Sequence, residues 1–229
     1  MDNRRFQFPH LQAKSFLIKN KVATVADAMG WDQFSLMSHS MGTGVAVILA
    51  GAIPHRIRHL ILFDAIGPHG SQPEEVPVRF EKALQQRLRL ISRQPRTYAT
   101  MDSLLDRMLQ SDAQLTRASA KLLVDRCADR VTGGLRFSHD PKLKGNPVSL
   151  YLTEPEAIAF IKRITCPTLL IWASHRWYPL DQQVIDSRQA SFPNITIKNV
   201  EGNHHVHLEH PERVVDHVLD HLLAVPSKL

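Results

Sequence analysis

Residues 34–44 read Phe-Ser-Leu-Met-Ser-His-Ser-Met-Gly-Thr-Gly. An apolar run from Phe34 to Met37 breaks at Ser38-His39-Ser40-Met41-Gly42, and an apolar helical pattern follows, Val45-Ala46-Val47-Ile48-Leu49-Ala50. Strand, sharp turn and helix in that order are what a nucleophilic serine needs if it is to stand exposed at the end of a sheet. Small residues two before and two after the serine let strand and helix approach each other. Here they are Ser38 and Gly42, so the G-x-S-x-G pattern reads S-x-S-x-G around Ser40. A helix opening at Met41 also places the Met41 N–H to donate to a developing oxyanion.

Working outward, Ile18, Val22, Val25 and Met29 recur at helical spacing before Gly30, which predicts a helix over 12–29. His59-Leu60-Ile61-Leu62-Phe63 is the near-continuous apolar run of a buried parallel strand, and it ends at Asp64. Residues 71–163 have another character: helical patterns over 76–92, 101–109, 113–127 and 154–164, separated by connections such as Gly133-Gly134. Alternation then resumes with a strand at 168–173, a helix at 180–192 and a strand at 195–200. Pro211 opens a last helix whose apolar face is Val214, Val215, Val218, Leu219 and Leu222. The sum is an open α/β sheet interrupted by a helical insertion.

Composition narrows the function classes. With 43% hydrophobic residues the 229-residue chain can bury a substantial core. No apolar run approaches the roughly 18–20 residues of a membrane span, and no apolar segment follows Arg4 and Arg5, so no secretory leader is expected. The net charge of +6 comes from scattered basic residues, among them Arg79, Lys82, Arg87, Arg89, Arg93 and Arg96. That spacing reads as a solvated helical face rather than a nucleic-acid stripe. Cys127 and Cys166 lack C-x-x-C spacing and read as buried thiols of a reducing compartment. The final Ser227-Lys228-Leu229 matches the address read by the peroxisomal import receptor in a eukaryotic source; otherwise a cytoplasmic location is expected.

A nucleophilic serine needs a base, and the segment Glu201-Gly202-Asn203-His204-His205-Val206-His207-Leu208-Glu209-His210-Pro211 follows the last strand. A histidine there can reach over the sheet edge towards Ser40. Clustered histidines invite a metal reading, as do His217 and His221 at i, i+4. With no cysteine nearby and no H-E-x-x-H, neither a metal nor an organic cofactor is expected. His217 and His221 lie opposite the apolar face of the last helix and read as solvated.

Together, Ser40 in its turn, the Gly202-Asn203-His204-x-x-x-Leu208-Glu209-x-Pro211 segment and the insertion resemble the α/β-hydrolase superfamily. More narrowly, F-S-L-M-S-H-S-M-G, L-I-L-F-D and G-N-H-H-V-H-L resemble the serine hydrolase-like proteins, from about Ala13 onwards. The resemblance implies an α/β-hydrolase fold: a mostly parallel sheet with helices on both faces and a cap over the active site. Residues 1–70 then form the first part of the core, 71–163 the cap and 164–229 the second part of the core. It makes His204 the base, with His205 the alternative if the loop is shifted by one. Family members commonly place the acid after the strand at 168–173, where this chain has Arg176. Two candidates are left, Asp64 and Asp181.

The superfamily also places four strands and a His-Gly oxyanion loop before the serine strand, whereas 33 residues precede Phe34 here. The N-terminal strands are therefore expected to be absent, leaving the serine strand as an apolar edge. His69-Gly70 reads as a turn. The implied activity is hydrolysis of a carboxylester-like acyl substrate through Ser40, His204 and Asp64 or Asp181 and an acyl-enzyme. The alternative is a truncated, inactive family member serving as an interaction module or without function.

Overall fold

A computed structural model describes residues 13–91, 96–138, 152–176 and 181–224. The Ser227-Lys228-Leu229 tail lies outside them. Helix α1 (Ala13–Ala28) leads into β1 (Phe34–His39), α2 (Met41–Ala52) and β2 (Ile57–Phe63). A short β3 (Gly70–Ser71) opens the insertion, which carries α3 (Val76–Ile91), α4 (Met101–Ser111) and α5 (Arg117–Cys127). A hairpin of β4 (Ala128–Val131) and β5 (Gly134–Phe137) comes next, then β6 (Leu152–Thr153). The chain continues through α6 (Glu154–Lys162), β7 (Thr168–His175), α7 (Gln182–Ser191) and β8 (Ile195–Asn203), and closes with α8 (Val206–Glu209) and α9 (Val215–Leu223).

The main sheet is parallel, in the order β1-β2-β7-β8. Its two central strands are apolar on both faces because helices cover both. Leu60, Leu62, Leu170 and Trp172 face a core shared with α1, α2, α6 and α7. Ile61, Phe63, Leu169, Ile171 and Ala173 face Val206, Val214, Val218 and Leu222 on the other side. Val215 and Leu219, expected on that apolar face, are exposed instead. The last helix begins only at Val215, after a single turn at Pro211–Arg213, and this rotates the two residues outward.

The two edges of this sheet differ. On β8, Thr196, Lys198, Asn199 and Glu201 face solvent, a charged and polar edge of the kind that resists pairing. β1 is bonded on one side by β2, and Met37 on it is 56% exposed, with Trp31 just before it 48% exposed.

The insertion is not all helix. Gly133-Gly134 turns the antiparallel β4–β5 hairpin, with positive φ at both glycines, and Leu135 exchanges two backbone hydrogen bonds with Tyr98. A separate apolar cluster of Tyr98, Leu104, Leu105, Leu115, Ala120, Val124 and Leu135 holds the insertion together. The helix expected from residue 113 begins at Arg117. Asp112 accepts from the Gln114 N–H and draws 112–116 into a turn, and Thr116 caps α5 by accepting from the Ser119 N–H.

His69-Gly70 is not a bare turn. The His69 carbonyl accepts from the Leu152 N–H, and β3 pairs with β6, so the start and end of the insertion are joined at its base. Arg188 of α7 locks that junction from within the core. It is 1% exposed, grips Glu154 with Nε and Nη2 at 2.7 and 2.6 Å, and donates Nη1 to the Ile66 and Pro68 carbonyls. All three of its nitrogens donate, which offsets the cost of burying the guanidinium.

Among the described residues no helix is long and apolar enough to cross a membrane. Cys166 is buried, and burial pushes its thiol up to about 11; Cys127 is half-buried and also raised by burial. Neither thiol is activated.

Helix α2 crosses α6 so closely that a methyl group on Gly51 would run into the Phe160 carbonyl. Replacing a helical glycine by alanine normally gains up to about 1 kcal/mol. Here overpacking dominates, and Gly51→Ala is expected to destabilise by about 1–3 kcal/mol. A lower urea midpoint at unchanged slope is the expected result; a raised midpoint would show that the contact yields easily.

Candidate active site

Ser40 sits between β1 and α2 with φ 54° and ψ −126°, outside the regions an L-residue prefers. Such strain costs about 1–3 kcal/mol and persists only where the surroundings enforce it. The enforcing contacts are on both sides of the residue. The Ser40 N–H donates to the Phe63 carbonyl at 3.2 Å, which joins the turn to the end of β2. The Ser40 carbonyl accepts from the Thr43 N–H at 2.9 Å and from Thr43 Oγ1 at 2.8 Å. Thr43 is completely buried. Gly42 packs against Ser38, where a Cβ would meet the Ser38 Cβ at 3.7 Å, an ordinary contact. Serine for glycine at position 38 is therefore accommodated. Met41, half-exposed, is the first residue of α2, so its N–H belongs to the helix N-terminus beside Ser40.

Asp64 lies at the carboxyl end of β2, beside the Ser40 turn, and also has positive φ, 50°. Its N–H is taken by the Ile171 carbonyl, and its Oδ1 accepts from the Ala173 N–H at 3.0 Å. Its Oδ2 lies 2.7 Å from His204 Nδ1. Both residues are 6% exposed. A carboxylate oxygen only accepts, so Nδ1 carries the hydrogen and Nε2 of the neutral ring is left with the lone pair.

The chain reaches this position because β8 ends at Asn203 and turns sharply at His204-His205 into α8. Gly202, with φ 151°, allows Val206 to pack closely behind. The main chain of His204 is held as well. Its carbonyl accepts from His39 Nε2 at 2.7 Å, and its N–H donates to Gln114 Oε1 at 3.1 Å. His204 is thus fixed from β1, from the β2 end and from the insertion.

The other sequence candidates lie elsewhere. Asp181 is exposed and caps α7, accepting from the Gln183 N–H at 2.8 Å. Arg176 stacks its guanidinium 4.3 Å from the centre of the Trp172 ring. His205 Nε2 donates to Asp112 Oδ2 at 2.7 Å and so turns towards the insertion. Asp112 responds: burial disfavours its charge, but the hydrogen bonds from His205 and the Gln114 N–H outweigh this and hold its carboxyl below the usual range. His221 is not simply solvated. It is half-buried with its ring 5.5 Å from that of His59, and burial lowers its basicity.

Two histidines that sequence reasoning left without a role surround His204. The His39 ring lies 4.4 Å from the His204 ring and 4.3 Å from the His207 ring. Burial, then the neighbouring His207 and His204, depresses His39 to about 3. Burial, then His205 and His204, depresses His207 to about 4. Both are neutral near pH 7. The position of His39, at the end of a strand immediately before the serine, was the available signal. Gln114 carried no signal, because it lay in a stretch read as helix. Among the described residues no group of three or more His, Cys, Asp or Glu side chains is arranged to hold a metal ion.

Comparison with known proteins adds the family. The alpha/beta hydrolase family model matches residues 14–217. A serine hydrolase-like protein of Dictyostelium discoideum is 29% identical over 211 residues, which are 87% of this chain and 58% of that protein. Human serine hydrolase-like protein 2 is 26% identical over 209 residues, 85% of this chain and 67% of the relative. The chain thus spans about three fifths of the length of the first of these relatives. Among solved structures, a hypothetical protein of Pseudomonas aeruginosa superposes with a TM-score of 0.80 at 29% identity, covering 92% of this chain and 74% of that one. With a family model matched from α1 into α9, around a serine turn and a histidine loop on one parallel sheet, the chain belongs to the alpha/beta hydrolase family.

Proposed function

We propose that the chain is a serine hydrolase acting on carboxylester-like acyl substrates. The observation that carries this reading is the buried 2.7 Å hydrogen bond between Asp64 and His204, on a loop bonded to the residue next to Ser40. In this mechanism Ser40 Oγ attacks the acyl carbonyl while His204 Nε2 takes its proton. Asp64 keeps the imidazole in the required tautomer and stabilises the imidazolium that forms. The Met41 N–H, at the N-terminus of α2, donates to the oxyanion. His204 then returns the proton to the leaving alcohol, and water, activated by the same ring, releases the acid from the acyl-enzyme. The family and the serine hydrolase-like relatives support the same reading.

A second reading is a family scaffold that binds without turnover, and the exposed apolar edge at Met37 and Trp31 favours it. A fluorophosphonate probe separates the two. The wild-type protein is expected to take up one probe, and Ser40→Ala none. A folded wild-type protein that stays unlabelled removes the hydrolase reading for this chain.

The neutral histidines give a second expectation. In the unfolded chain His39 and His207 titrate near the ordinary value of about 6.5, whereas in the folded protein they titrate at about 3 and about 4. Between those values the unfolded state binds more protons. Stability contributed by keeping these rings neutral is therefore complete above about pH 6.5 and declines as pH falls towards about 4. The urea midpoint is expected to drop from pH 7 to pH 5, and to drop less in His39→Gln, which keeps a donor for the His204 carbonyl. An unchanged pH dependence in His39→Gln contradicts this account.

A further inference from the structure

The turn between α4 and α5 lies along the loop that carries His204, and five hydrogen bonds join them. Asn203 Nδ2 donates to the Gln114 carbonyl at 2.7 Å, and the His204 N–H donates to Gln114 Oε1 at 3.1 Å. His205 Nε2 meets Asp112 Oδ2 at 2.7 Å. Glu209 accepts the Thr116 N–H at 2.8 Å and Thr116 Oγ1 at 2.7 Å. Leu208 adds an apolar contact by packing on the cluster inside the insertion. The turn is itself made rigid by the Asp112 carboxylate, which accepts from the Gln114 N–H at 3.1 Å.

Resting on the hydrolase reading above, we propose that Gln114 is a positioning residue for His204, so that seating of the 112–116 turn on the histidine loop is a condition for activating Ser40. Three groups of His204 are held: Nδ1 by Asp64, the carbonyl by His39 and the N–H by Gln114. The first two anchors come from the sheet. The third comes from the insertion. His204 is buried, so an N–H deprived of Gln114 Oε1 has a strong incentive to move towards another acceptor. Movement of the main chain shifts Nε2, and in the proposed mechanism misplacement of the base by about 1 Å costs on the order of a hundredfold in rate. The insertion thereby acts on the reaction through the base, separately from any contact it makes with substrate.

The test is the rate at which a fluorophosphonate labels Ser40 in the full chain, followed against pH. Gln114→Met keeps the length of the side chain and the main-chain carbonyl used by Asn203, and removes the amide that holds the His204 N–H. It is expected to label about 10- to 100-fold more slowly while it remains folded. Gln114→Glu restores the acceptor and is expected to recover most of the rate. It should also raise the pH of half-maximal labelling, because a carboxylate beside His204 favours the imidazolium.

Wild-type speed in Gln114→Met overturns the inference, as does an equal loss in Gln114→Met and Gln114→Glu, which marks a merely structural turn. Should Gln114→Met not fold, Gln114→Ala is measured in its place by the same criteria. A wild-type protein that takes no probe removes the hydrolase reading and this inference together. A wild-type protein that labels, alongside an unimpaired Gln114→Met, removes this inference alone.

Discussion

The hydrogen bond from His204 Nδ1 to Asp64 Oδ2 is the constraint to which the rest of the site is fitted. It joins the end of β2 to the loop after β8, two strands away in the sheet order, so the register of β2, β7 and β8 has to be right for it to form. Asp64 meets His204 from a backbone of positive φ, and the Ala173 N–H of β7 occupies its other oxygen. The buried parallel core is therefore also the device that sets the distance between Asp64 and His204. Removing the acid leaves a buried imidazole N–H without its partner, a cost of about 1–3 kcal/mol before any effect on chemistry.

Around that bond two further imidazoles are held neutral. His39 and His207 are neutral near pH 7 because burial, and then the neighbouring imidazoles, disfavour a charge on either ring. A neutral His39 can still donate from Nε2 to the His204 carbonyl, so it holds the histidine loop in place without carrying a charge. Outside this pocket, the Asp112–His205 hydrogen bond faces the insertion, and the Arg188–Glu154 ion pair locks its base. Among the described residues the insertion is in this way joined to the core at its base and at the histidine loop.

The serine turn was legible in sequence because it is a local event. Ser38, Ser40, Gly42 and the apolar stretches on either side occupy consecutive positions, and helix α2 ends where Ile53-Pro54 says it should. The buried strands were legible for the same reason: a run such as Leu60-Ile61-Leu62-Phe63 has no other comfortable environment. The carboxylate partner of His204 was not, because choosing between Asp64 and Asp181 requires knowing which of them faces His204 across two strands. The β4–β5 hairpin was missed because Gly133-Gly134 marks a turn equally well between helices. The 112–116 turn was missed because Ala113, Gln114 and Leu115 are compatible with a helix, and only the Asp112 side chain, bonded to the Gln114 N–H, diverts the chain.

The central claim is that Asp64, and no other carboxylate, directs His204 towards Ser40. Its most direct test is the fluorophosphonate labelling rate of Asp64→Asn compared with that of Asp181→Asn, each in protein shown to be folded. An asparagine at the acid position favours the wrong imidazole tautomer, for which losses on the order of 10⁴-fold are typical. The account predicts a loss approaching that size in Asp64→Asn and a wild-type rate in Asp181→Asn. A large loss in Asp181→Asn, with Asp64→Asn labelling normally, would contradict it.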